Sequence, residues 1–366
     1  MTRYLGMAIK GMIVPDSSAA PASGSANAVL QRVANRPIIC HVLERMQRAG
    51  ASEAAIVVPE SESAQVRACI DAEGPAGLPV EYLPFVASEA LEGTQRPDAL
   101  APVLKAAVDF VGDEACLVHV AEGLLDHQLE SLIAQSREPG TELVVFAARS
   151  ANDGEATGLA ARRLLHLADV APSARPLSLT GVALFAPGAL RRASRARWWK
   201  AGALDLVAIA EQLLAGGARV QVELAGGWRS HSGQVADLLE LNRIALDALP
   251  RRQTSIPGVE NRIEGDVEVH PTACVQSSSI VGPAIVGPNA LVLGSYIGPY
   301  TSIGADVQIE GAEVERSIIL PGARITHIGG RLVGSVVGRD ARVFRDFSLP
   351  RALRLNVGDG GEVALC

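Results

Sequence analysis

At 366 residues, 48% apolar and only 20% charged, the chain is long enough for two domains and too apolar to be disordered. A net charge of −7 argues against a nucleic-acid partner, whose binders carry basic stripes. No apolar run approaches the ~18 residues of a membrane span, and the N-terminus lacks the order of a signal peptide, so no membrane partner is expected. The five cysteines, Cys40, Cys69, Cys116, Cys274 and Cys366, are scattered, odd in number and without metal-ligand spacing. They read as reduced thiols in a cytoplasmic protein, with Cys366 an exposed terminal thiol of no assigned role.

The first apolar run, Gly11-Met12-Ile13-Val14, predicts a strand, and the Ser, Ala, Pro and Gly residues of 15–28 a loop. Pro37 opens a helix through Ala49, with Ile38, Val42, Leu43 and Met46 on one face. Strands are predicted at 54–58, 80–83, 115–120 and 142–148, alternating with helices at 63–72, 98–110 and 126–136. That order implies a largely parallel sheet with helices on both faces and ligands at the carboxyl ends of its strands. The rim would be built by 15–28, 121–126 and part of 226–233. Further strands at 178–185 and 220–224 and helices at 203–215 and 235–248 complete a domain over residues 1–250. Trp198-Trp199, with Arg195 and Arg197, reads as a helix end packed on a domain interface or as a stacking patch for an anion.

The aperiodic segment 251–258 carries Pro257 and is the expected linker. Beyond it, over 259–366, aliphatic residues recur every five or six positions: Val269, Val275, Val286, Val292, Ile297, Ile303 and Ile309. Val286-Gly287-Pro288-Asn289-Ala290-Leu291 and Ile303-Gly304-Ala305-Asp306-Val307-Gln308 are near-copies of one hexapeptide. Such a period predicts a left-handed parallel β-helix, in which each short face is buried only by stacking on its neighbours. Its open ends call for caps or for oligomerisation.

Taken together these residues resemble the sugar-nucleotide pyrophosphorylases, nearest to the long form of the glucose-1-phosphate thymidylyltransferases. The resemblance is carried by Ser295-Tyr296-Ile297-Gly298-Pro299-Tyr300-Thr301-Ser302-Ile303-Gly304, Glu313-Val314-Glu315-Arg316-Ser317-Ile318-Ile319, Ile328-Gly329-Gly330-Arg331-Leu332 and Pro350-Arg351-Ala352-Leu353-Arg354-Leu355. Lys10-Gly11, Val33-Ala34-Asn35-Arg36-Pro37-Ile38 and Leu239-Glu240-Leu241-Asn242-Arg243 extend it to the N-terminal half. It implies a Rossmann-like nucleotidyltransferase (GT-A-like) α/β domain followed by the β-helix.

The departures fall where the resemblance places chemistry. The family's Gly-rich loop with an Arg holds the triphosphate; here that stretch includes Asp16, Ser17 and Ser18, with neither Gly nor Arg from Pro15 to Pro21. The signature Lys falls at Ala28, and the Lys that holds the sugar phosphate near Ala171. A base-reading Gln falls at about Phe85 and a base-contacting Gly at about Ala99. The two Mg²⁺-binding Asp residues fall at Glu122 and His231. Lysine occurs only at Lys10, Lys105 and Lys200, so no other lysine stands ready to substitute. Nucleotidyl transfer depends on positioning and charge neutralisation, and losing one such group commonly costs about 10²–10³ in rate.

The expected function is therefore that of a catalytically inactive homologue, a regulatory, scaffolding or sugar-nucleotide-sensing subunit. Its partners would be further copies of itself, an active nucleotidyltransferase paralogue, or a sugar nucleotide. An alternative is an enzyme with a rebuilt site, for nucleotidyl transfer or another reaction in sugar or natural-product biosynthesis; Mg²⁺ would be its cofactor only if activity is retained. On that reading Glu122 and His231 are metal ligands; as ordinary residues they are a solvated rim carboxylate and a surface imidazole. Ser17 and Ser18 likewise read as anion-binding hydroxyls or as plain loop. A third reading, an acyltransferase built on the β-helix, would use His270 or His327 as general base.

Overall fold

A computed structural model describes residues 8–15, 28–85, 101–126, 129–135, 140–149, 163, 177–194, 199–200, 203–249 and 260–345. Asp16, Ser17, Ser18, Ala99, Ala171, the linker and Cys366 lie outside them.

The N-terminal half forms one seven-stranded sheet. Strands β1 (Ile9–Val14), β2 (Ala51–Pro59), β3 (Val80–Phe85) and β4 (Ala115–Val120) are joined through helices α1 (Ile38–Arg48), α2 (Glu60–Glu73) and α3 (Ala101–Val111). After β4 come a short strand β5 (Gly123–Leu125), helix α4 (Leu129–Gln135) and strands β6 (Thr141–Arg149) and β7 (Leu177–Phe185). Helices α5 (Ala189–Ala193) and α6 (Leu206–Ala215) precede β8 (Arg219–Leu224), β9 (Trp228–Ser230) and helix α7 (Val235–Asp247). The sheet order is β8-β6-β7-β4-β1-β2-β3. All neighbours are parallel except β7, which runs antiparallel to both β4 and β6.

Alternation along the buried strands divides the core in two. In β4, Ala115 and Leu117 join the layer under α1, α4 and α7, while Cys116, Val118 and Val120 join the layer under α3, α5 and α6. Two expectations change. Helix α6 begins at Leu206 rather than 203, because the Asp205 carboxylate accepts from Ala208 N at 3.0 Å and caps the first turn. Trp199 sits in a two-residue strand with Lys200, paired with Ala203-Leu204, and not at a helix end.

The C-terminal half is a parallel β-helix of five coils, each with three short strands that stack into three five-stranded sheets. The first coil is Arg262–Glu264, Val267–Val269 and Cys274–Gln276. Register runs Val275↔Val292↔Ile309↔Ile325 along one sheet, so the aliphatic beat of the sequence becomes a column inside the prism. One corner stacks Asn289 (φ 57), Asp306 (φ 57), Gly322 (φ 76) and Asp340 (φ 54) in the left-handed conformation that Asn and Asp tolerate. At Gly322 a Cβ would lie 2.1 Å from Asp340 Oδ1, so a side chain there would require the Asp340 carboxylate to turn away. At another corner, buried Ser278 and Ser295 accept backbone N–H groups from the next coil at 3.1 and 3.2 Å, which satisfies donors that face the interior.

The two halves share a core. Ile318 is buried in the α1 and α7 layer, and Ile285, Tyr300, Leu320 and Val336 pack against it. At its centre Asn242 of α7 is fully buried. Its Oδ1 accepts from Ala34 N at 2.8 Å and from Ser302 Oγ at 2.6 Å, and its Nδ2 donates to Tyr300 O at 3.0 Å. Asn35 Nδ2 donates to Ile303 O at 2.6 Å.

Candidate functional site

The carboxyl end of β4 lies at the middle of the sheet, where such folds bind their ligands. Val14 at the end of β1 accepts from Ala121 N at 2.8 Å, which holds the chain as it leaves β4. It then turns through Ala121-Glu122 into β5, which pairs antiparallel with β9: Gly123↔Ser230, Leu124↔Arg229, Leu125↔Trp228. The His231 N–H donates to Glu122 O at 2.9 Å, extending that ladder by one step. Tertiary structure thus brings Glu122 and His231 together, as the resemblance implies for the family's two metal-binding positions.

Their environment corrects the reading of solvated rim groups. Glu122 is 7% exposed and His231 6%. Burial lowers the pKa of His231, against a smaller opposing pull from Asp237, so the ring is neutral near pH 7. Its Nδ1 has no hydrogen-bond partner among the described residues.

A further residue belongs here that the sequence reading treated only as part of a strand. His119 of β4 is 0% exposed, its ring centroid 5.7 Å from that of Trp228. Its Nδ1 lies 2.7 Å from Val120 O, which makes it the protonated nitrogen, and Nε2 is left as an acceptor with no hydrogen-bond partner among the described residues. Burial lowers its pKa to about 4, so it too is uncharged at neutral pH. The available signal was a single polar residue inside the apolar run Ala115-Cys116-Leu117-Val118-His119-Val120.

The Trp228 indole fills the space over the end of β4. A Cβ at Gly123 would lie 2.1 Å from its ring, so this position is glycine to admit the indole, whereas one at Gly181 would first meet Val120 Cβ at 2.5 Å and then the indole at 2.9 Å. Beside it, Arg45 donates to Leu125 O, and Arg243 pairs with Asp126 at 3.0 Å, Glu240 at 2.8 Å and Asp247 at 2.6 Å.

Phe85 closes β3 and packs on the α3 layer; Ala28 opens a single 3-10 turn, Ala28–Leu30. Lys10 is at the opposite, amino end of the sheet, in register with Cys116. Its ammonium donates to Phe110 O at 2.7 Å and pairs with Glu53 at 2.8 Å. His270 and His327 both lie on exposed surfaces of the β-helix; His327 is 3.7 Å from Glu310, and His270 bonds its near neighbour Thr272.

The donor set does not match Mg²⁺, which demands an octahedral shell of oxygens. Glu122 offers a carboxylate and His231 a neutral imidazole, and no three His, Cys, Asp or Glu side chains among the described residues are placed to hold a metal ion together. Among these residues no helix is long and apolar enough to cross a membrane.

No family model matches the chain. Glucose-1-phosphate thymidylyltransferase of Streptomyces antibioticus is 29% identical over 350 residues, covering 92% of this chain and 93% of the relative. The protein of the same name from Streptomyces griseus is 29% identical over 340 residues, covering 89% and 90%. A low-salt glycan biosynthesis nucleotidyltransferase of Haloferax volcanii is 24% identical over 343 residues, covering 91% and 92%. A crystal structure assigned as a glucose-1-phosphate thymidylyltransferase of Bacillus anthracis superposes with a TM-score of 0.51 at 17% identity. It covers 67% of this chain and 98% of that one, a likeness of fold. Along nine-tenths of its length, and with an α/β sheet and a β-helix in place, the chain is similar to proteins named as sugar-1-phosphate nucleotidyltransferases.

Proposed function

We propose that the chain is a non-catalytic member of this group, acting by binding as a regulatory, scaffolding or sugar-nucleotide-sensing subunit. The observation that carries the reading is the pair at the end of the central strand. Where the resemblance expects two metal-binding aspartates there are a buried glutamate and a buried, uncharged histidine. Transfer of a nucleotidyl group requires negative charge on the phosphates to be neutralised at the moment of reaction. Lys10, the one lysine on the sheet, is held at its far end by Glu53 and a backbone carbonyl. The extensive, well-satisfied contact between the α/β sheet and the β-helix supports a role in which the shape of the whole chain is what is used. On this reading the protein assembles with copies of itself or with an active paralogue.

Pyrophosphate release tests it, with Mg²⁺, a panel of nucleoside triphosphates and a panel of sugar 1-phosphates, beside an active relative. We expect no release above background, and no change in Glu122→Ala. Release at ordinary enzyme rates, lost in Glu122→Ala, would establish a rebuilt catalytic site instead.

A further inference from the structure

Charge is sorted along the β-helix. Residues 260–315 carry eight carboxylates and one arginine, whereas residues 316–345 carry six arginines and one carboxylate, Asp340. In the last two coils Arg316, Arg324, Arg339 and Arg342 are exposed and make no ion pair among the described residues. Arg324 and Arg342 stand in register on adjacent strands, Arg324–Thr326 and Arg342–Phe344, of one five-stranded sheet. Adjacent strands lie about 4.8 Å apart, so two like charges stand side by side, which costs stability unless an anion lies across them. The neighbouring sheet neutralises its own arginine: Arg331 is in register with Glu313 and bonds it at 2.9 Å, and Glu315 at 3.1 Å.

Beside the arginine pair Phe344 is 57% exposed, with the Arg342 guanidinium 5.5 Å from its ring centroid. None of the β-helix residues in the core shared with the α/β half comes from this sheet. We propose that the face built by Arg324, Arg342 and Phe344 docks a short acidic segment of a partner protein, with carboxylates across the arginine pair and an apolar side chain against Phe344. A surface of short strands is flat, whereas small-molecule sites are concave, and arginine beside an exposed aromatic ring is the composition of protein interfaces. The basic stretch is two coils deep. One coil further, the register partners of Arg324 and Thr326 are Gln308 and Glu310. A long polyphosphate such as nucleic acid would run on to that carboxylate and along a chain of net charge −7, so a short run of carboxylates is the better fit.

This docking face rests on the reading of the chain as a binding subunit and names the chemistry of what is bound. Experiment tells the two apart. Pyrophosphate release reports on the rim of the α/β sheet, whereas binding at the β-helix face is read without nucleotide or Mg²⁺.

The test follows the fluorescence anisotropy of a fluorescein-tagged hexaglutamate peptide ending in leucine, titrated with the full chain at about 0.05 M salt. Saturable binding is expected, with none of the glutamine counterpart, and salt at about 0.5 M should abolish it. Arg324→Glu combined with Arg342→Glu should weaken binding about tenfold, and Phe344→Ser about threefold. Arg262→Glu, in the first coil, should leave it unchanged. These side chains are exposed, and circular dichroism checks that each variant keeps the parent fold. The proposal is overturned if the hexaglutamate peptide does not bind, or if the glutamine peptide binds equally well. It is equally overturned if the double variant or Phe344→Ser binds as tightly as the parent. Tighter binding of a tagged oligothymidine than of the peptide would replace it with a nucleic-acid surface.

Discussion

In the β-helix every inward position is set by its neighbours one coil away. At the carboxyl rim of the α/β sheet, the side chains answer to no repeating neighbour. Ile309 has Val292 below and Ile325 above in register, so a change at one level is felt at two others. His119 sits on a sheet whose strands are held by backbone pairing and by two apolar layers, with Glu122 in the turn after β4 and His231 just past β9. Their identities can change while the strands persist. The contrast shows how an architecture can be held by its layers and coils while the residues at its rim are free to differ.

Removing a prism residue tests the stronger side of the contrast. Ile309→Ala is expected to destabilise by about 2–5 kcal/mol, the range for truncating a fully buried aliphatic side chain. Urea denaturation followed by far-UV circular dichroism would measure it; a loss below about 1 kcal/mol would mean that the coils relax around the cavity.

Whether the two regions stand or fall together is decided at Asn242. Asn242→Ala leaves the Ala34 N–H, the Ser302 hydroxyl and the Tyr300 carbonyl without their shared partner. The expected cost is about 1–3 kcal/mol for each buried group left unsatisfied. Scanning calorimetry should show the single transition of the parent split into two. An unsplit transition at the parent temperature would show that the apolar contacts around Ile318 suffice for coupling.

Acid should separate the regions by chemistry. His41 and His119, both in the α/β half, are buried with pKa values lowered to about 4 by desolvation. The two histidines of the β-helix, His270 and His327, are exposed. An unfolded chain takes up protons at His41 and His119 below the ordinary value near 6.5, whereas the folded chain resists until about 4. Their contribution is complete at pH 7 and is lost as pH falls through that window, by roughly 2 kcal/mol for each at pH 5. Denaturation at pH 7 and pH 5 should show the parent weakening as pH falls, and His119→Phe should reduce that pH dependence. An undiminished pH dependence in His119→Phe would place the acid sensitivity elsewhere.

Much of this was legible in the chain. The repeat is local: an aliphatic residue every five or six positions states both the strand length and the direction of the side chain, so the β-helix followed from the sequence. Most strands and helices of the first half followed from runs and periods in the same way; the short elements 123–125, 189–193 and 228–230 did not, nor did ends that a side chain decides, as Asp205 does for α6. The Glu122–His231 pairing was reached through resemblance, since nothing in their spacing along the chain joins them. Their burial was not legible, because it depends on how β5, β9 and Trp228 fold over the end of β4.

The sequence by itself determined the elements, the prism and the absence of the expected charged groups, because propensity, period and residue identity act over a few neighbours. Only the tertiary structure decided that β7 enters the sheet antiparallel, that His119 joins the site and that Asn242 ties the two halves together. Each of these is a contact between residues far apart in the chain. Such contacts arise when apolar layers close and bring with them whichever polar groups lie on the surfaces that meet.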